Sequence, residues 1–139
     1  MPGGRELTRW LLVRGSGARV LDGPVEPDAI RLHRTTRRPS VQAGDAAVLY
    51  AAVWQAVFAV VEVTGDPEHD AARDRWAWSF PLRTLVAVPH LDVAPPVEAA
   101  GIFPQSLWRH SHIRLDEERF TAACDLVEAA ASGRPAERR

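Results

Sequence analysis

The chain has 139 residues, 46% of them hydrophobic, a formal net charge of −1, 17 arginines with no lysine, and one cysteine, Cys124. That is length for one domain and too apolar for a disordered chain. It excludes an internal disulfide, a binder that works through overall positive charge, and any run of about 18 apolar residues able to span a membrane.

In chain order, Glu6–Val13 (ELTRWLLV) reads as a first strand, followed by Arg14-Gly15-Ser16-Gly17, where glycine permits a tight turn or close approach of a ligand. The N-terminal decapeptide lacks the apolar core of a signal peptide. Asp22–Ile30 reads as loop with a short helical turn that Pro27 opens. Arg31–Arg38 holds four arginines, one histidine and no acid: either a solvated loop or a local patch that attracts phosphate. The absence of lysine fits a guanidinium preference or, more blandly, a GC-rich genome. Ala46–Val53 and Ala56–Val63 are apolar on both faces, as strands inside a closed sheet are. The Trp54-Gln55 join is a poor two-residue hairpin, so the turn is longer or Trp54 sits at its tip.

After the polar loop Gly65–Arg73 comes Arg75–Pro89 (RWAWSFPLRTLVAVP), a long strand with Trp76, Trp78, Phe80, Leu82, Val86 and Val88 on one face. Pro81 marks a bulge, edge or corner midway. A strand that bends at its middle suits a small curled sheet in which it serves two sides. Pro89–Pro96 is extended. Val97–Ala100, stopped by Gly101, and Pro104–Arg109 are single helical turns. Ser111–Leu115 is a short last strand. Asp116 then caps a helix to about Ala131, with Phe120, Ala123, Cys124, Val127 and Ala131 as its buried stripe. The fold class is α+β: a curved, mostly antiparallel sheet of five to six strands with short helices and a C-terminal helix packed on it. Residues 1–133 form one domain, and 134–139 a flexible tail.

Several segments, taken in order, resemble the EVE domain of the PUA-like superfamily, to which the YTH domains also belong. Trp10-Leu11-Leu12-Val13-Arg14 resembles the opening strand. Val41–Tyr50 (VQAGDAAVLY) resembles the strand entry written GD-x-V-L-F/Y. Ala59–Val63 with Asp66-Pro67 resembles the next strand and its loop, Arg75-Trp76 the RW that opens the long strand, and Arg109–Leu115 the late segment before the closing helix. The match spans roughly residues 7 to 130 and rests on order and spacing. The family's basic–Ser–Glu-Pro opening is here Arg14-Gly15-Ser16-Gly17, and Arg31–Arg38 replaces its arginine- and asparagine-rich segment. The resemblance implies a PUA-like pseudo-barrel whose cleft takes a nucleobase flipped out of DNA or RNA, often a modified one.

Such a pocket needs flat apolar walls, directional polar groups and cations for phosphate. The candidates for the base are Trp54, Trp76, Trp78, Trp108, Ser16, His110 and Ser111; Trp76 and Trp78 are core or pocket, and Trp108-Arg109-His110-Ser111 is the best local cluster. The candidates for phosphate are Arg14, Arg34, Arg37 and Arg109, with His33 nearby. His110 and His112 share a strand face, but no cysteine accompanies them as a metal ligand. Ser111 lacks the oriented base and strained turn of a nucleophile. The expectation is a cytoplasmic, non-enzymatic nucleic-acid-binding module, with no metal or cofactor, no membrane, and a monomer as the default state. The alternatives are a small hydrolase on the same barrel and a protein-binding adaptor.

Overall fold

A computed structural model describes residues 7–15 and 21–133. Ser16 and the 134–139 tail, both singled out above, lie outside the described residues. The strands are β1 (Arg9–Arg14), β2 (Leu32–Thr35), β3 (Ala46–Ala51), β4 (Ala56–Val63), β5 (Glu68–His69), β6 (Trp78–Ala87) and β7 (His112–Arg114); α1 spans Glu117–Ala131. They form one mixed sheet in the order β2-β6-β4-β3-β1-β7, with two-residue β5 pairing to β6 off that path. Only β1–β3 is parallel. The α+β class, the curl and the closing helix are as the residues predict.

The curl comes from β6. Its first half, Trp78–Pro81, pairs with β2 on one edge and β5 on the other; its second half, Leu82–Ala87, pairs with β4. Pro81, which has no N–H to give, sits at the changeover and uses its carbonyl to accept from Thr64 N. Leu82 then donates to the Arg31 carbonyl. Apolar residues on both faces of β3 and β4 are wholly enclosed, among them Val48, Leu49, Val57, Val61 and Val63, with Ala123 and Val127 of α1 packed in the same core. Asp116 caps α1 by accepting from Arg119 N at 2.8 Å.

Two local expectations are corrected. Part of the arginine-rich segment is strand β2, not loop, and its inward residues are the polar His33 and Thr35. Trp76 and Trp78 do not stand side by side on one strand face. Trp76 precedes the strand in left-handed backbone (φ 56°), so the alternation is broken there and the two indoles part company.

Two polar groups organise the two ends of the β1–β3 pair. The fully buried Asp45, in the turn before β3, accepts from Trp10 Nε1 at 2.9 Å, Gln42 N at 3.0 Å and Thr8 N at 3.2 Å. His33 ties the two outer strands together. Its Nε2 lies 2.9 Å from the Ser111 carbonyl, just before β7, and a carbonyl only accepts, so Nε2 carries the hydrogen. Its Nδ1 then accepts from Arg14 Nη1 at 3.4 Å, while the same nitrogen of Arg14 donates to the Leu32 carbonyl at 2.7 Å. Side chains thus bridge the seam that no strand ladder closes.

Candidate functional site

Pairing sets the ends of β1 and β3 beside the start of β7, and the end of β2 beside the start of β6; residues next to both groups line one space at the mouth of the curled sheet. A cleft of about 450 Å3 opens there, within the range of about 300–1,000 Å3 usual for small-molecule sites. Val13, Thr36, Tyr50 and Ala52 come from strand ends and the residues after them. Arg75 and Trp76 come from the approach to β6, and Pro104, Leu107 and Trp108–Ser111 from the approach to β7. A second recess, lined by Thr36, Arg37, Arg109, His110, Ser111 and His112, adjoins it. No carboxylate of the described residues lines either space.

The backbone is unusual at this cleft. Among the described residues, three other than glycine have left-handed backbone: Gln55 (φ 54°), Trp76 (φ 56°) and Arg109 (φ 70°). All three line the cleft. Such conformations cost of order 1–3 kcal/mol each and gather at binding and catalytic sites. Gln55 closes the β3–β4 turn by donating from its N to the Ala51 carbonyl. The Trp76 turn is held by Arg73 Nε, which donates to the Trp76 carbonyl at 3.1 Å.

Trp76 is 37% exposed and Trp108 71%, so both keep indole surface for a ligand. The Arg109 guanidinium lies 4.5 Å from the Trp108 ring centroid, a cation–π contact that holds the arginine at the rim. Ser111 Oγ and His112 Nδ1 are 2.9 Å apart, and burial followed by neighbouring His110 pushes the His112 pKa below its usual value. Next to His112 stands the Trp10 ring, at 5.5 Å.

The other predicted residues stand apart. Trp54 donates its Nε1 to the Leu21 carbonyl at 3.1 Å and meets the His90 ring edge-on. Trp78 meets the tilted His69 ring, 4.9 Å away, and the Arg38 guanidinium, 5.6 Å away. Neither lines the cleft, and nor does Arg34. Arg14 spends its guanidinium on the seam, where burial lowers its pKa. Arg37, Arg109, His110, Ser111, Trp76 and Trp108 are the predicted residues that converge. Residue patterns missed Tyr50, Gln55, Thr36 and Arg75; of these only Arg75 carried a signal, as the neighbour of Trp76.

Among the described residues no three His, Cys, Asp or Glu side chains gather as metal ligands, and no helix is long and apolar enough to cross a membrane. Cys124 lies on α1 away from the cleft, its thiol pushed up to about 11 chiefly by burial.

Known proteins add the fold alone. No protein-family model matches the sequence, and no curated protein sequence does. Solved structures do. The chain is similar to Rpa0253 of Rhodopseudomonas palustris, at 13% identity and a TM-score of 0.57 over 88% of this chain and 94% of that one. It is similar to Atu2648 of Agrobacterium tumefaciens, at 15% identity and a TM-score of 0.52 over the same shares.

The seam predicts a pH dependence. Burial, then the adjacent Arg14 charge, pushes the His33 pKa down to about 3, against 6.5 for a free imidazole. Between these values the unfolded chain binds a proton that the folded chain refuses. This site therefore costs no stability above about pH 6.5. It removes about 1.4 kcal/mol per pH unit as the pH falls towards 3, and nothing further below that. Urea denaturation of the parent and of His33→Gln between pH 7 and 4 should show the parent with the steeper loss; parallel curves would mean that His33 charges freely in the fold.

Proposed function

We propose that the protein is a nucleic-acid-binding module that accepts a flipped, methylated nucleobase in the cleft at the mouth of the sheet. One observation carries this reading: the two accessible indoles of the cleft, Trp76 and Trp108, stand with arginines around a space that no carboxylate of the described residues lines. Each supplies a flat face for stacking, worth about 1–3 kcal/mol per base. Arg75 and Arg109 at the rim, with Arg37 in the adjoining recess, supply cations for flanking phosphates without making the whole molecule basic. The left-handed turns at Trp76 and Arg109 hold an indole and a guanidinium where ordinary strand geometry would not. The resemblance of the sequence to EVE domains points the same way. Such a module works in the cytoplasm as a reader, with no catalytic step of its own.

The test is a fluorescence-quenching titration, with the protein's own tryptophans as reporters. Single- and double-stranded oligonucleotides, matched with and without methylated adenine or cytosine, are added at low and moderate salt. Saturable quenching that depends on the methyl group and survives moderate salt is the expected result. Quenching that ignores the methyl group and vanishes with salt would reduce the site to phosphate attraction. No quenching at all would remove nucleic acid as the ligand.

A further inference from the structure

The chain contains a single tyrosine, Tyr50, at the end of β3. It is 3% exposed, lines the cleft, and follows a bulge at Leu49/Tyr50, where β4 supplies an extra residue, Phe58. Bulges re-aim side chains next to binding sites. A buried tyrosine ordinarily finds a partner for its hydroxyl, yet no described residue bonds this one, and Tyr50 is not among the residues with further contacts. No fully enclosed side-chain nitrogen or oxygen of the described residues lacks a hydrogen bond. The hydroxyl is therefore not enclosed. With the rest of the residue buried in the core, the opening it meets is the cleft. An unpartnered phenol thus faces the cleft that the two indoles also line.

We infer that Tyr50 is the specificity-determining residue of this site, donating its phenolic hydrogen to an acceptor atom (a ring nitrogen or carbonyl oxygen) on the inward edge of the bound base. The inference rests on the nucleobase reading above. Burial raises the pKa of the phenol above its ordinary value, so it stays protonated at neutral pH and remains a donor. A flat aromatic ring stacked between walls gains little selectivity from stacking, because every base has a π face. A directional donor in the cleft wall discriminates more sharply, since a ligand without an acceptor leaves the hydroxyl covered and unbonded.

The test uses Tyr50→Phe and, on the parent sequence, 3-fluorotyrosine at this one position. The probes are the oligonucleotides of the quenching titration, with a companion set in which a ring nitrogen of the target base is replaced by C–H. Tyr50→Phe should melt with the parent, because the hydroxyl bonds no described residue. It should bind the modified oligonucleotide about three- to tenfold more weakly. The two deletions should not add: removing the acceptor nitrogen from the base should cost Tyr50→Phe nothing further. In the fluorinated parent the single 19F resonance should shift along the same saturation curve as the tryptophan quenching. Parent-like affinity in Tyr50→Phe, or quenching without a 19F shift, overturns the inference and leaves the nucleobase reading standing. No quenching in the parent overturns both.

Discussion

Asp45→Ala should destabilise the fold by about 3–5 kcal/mol, the penalty of stripping a buried carboxylate from the donors that surround it. The carboxylate is fully enclosed and accepts from the Trp10 indole and from the Gln42 and Thr8 amides. Alanine leaves the Trp10 N–H, itself deep in the core, facing a small void that offers it no acceptor. The two amides flank the turn that launches β3 and the residue before β1, so the loss also loosens the parallel β1–β3 pair. That pair carries Val13 and Tyr50 to the cleft. Asp45→Asn keeps one acceptor oxygen but turns an amide N–H₂ towards donors, so it should fall between parent and alanine. Urea denaturation of the three proteins at neutral pH gives the order directly; a loss below about 1 kcal/mol for alanine would mean that water replaces the carboxylate at little cost.

How much of this was legible beforehand follows from where each signal is stored. Strand β4 and helix α1 announce themselves locally: an eight-residue apolar run in one case, an Asp cap, two first-turn glutamates and an apolar stripe in the other. The bend of β6 was legible from Pro81 because the missing N–H is a property of the residue. Strand β2 was hidden because its inward positions are His33 and Thr35, polar residues whose burial is made tolerable by partners far along the chain, Ser111 and Arg14 among them. No window of sequence contains those partners. The parting of Trp76 from Trp78 was hidden for a different reason. An alternating pattern assumes extended backbone throughout, and the left-handed turn at Trp76 depends on the preceding loop, including Arg73. Tyr50 read as one more apolar strand residue. Its importance lies in a bond it does not make, which only the folded surroundings reveal.

The same geometry sorts the tryptophans by function. Trp108→Ala should weaken binding of the preferred oligonucleotide by about 1–3 kcal/mol, roughly 5- to 150-fold, and Trp76→Ala by a similar amount. Trp54→Ala and Trp78→Ala should bind like the parent. All four are partly exposed indoles, so a non-specific aromatic surface would respond to each alike. They differ in position: Trp76 and Trp108 line the cleft, whereas Trp54 is engaged with Leu21 and His90, and Trp78 with His69 and Arg38. Trp108 is the cleaner probe of the first pair. It is the most exposed of the four and its removal uncovers little core, so stability should change little while affinity falls. Trp108→Ala also takes away the platform under Arg109, so part of its effect comes from a guanidinium set free at the rim. Trp108→Phe separates the two contributions: a smaller ring still stacks on a base but holds the cation less well. Its affinity should fall between parent and alanine, with the salt dependence of binding closer to that of alanine. Equal losses at all four tryptophans would place the ligand on a broad surface rather than in the cleft.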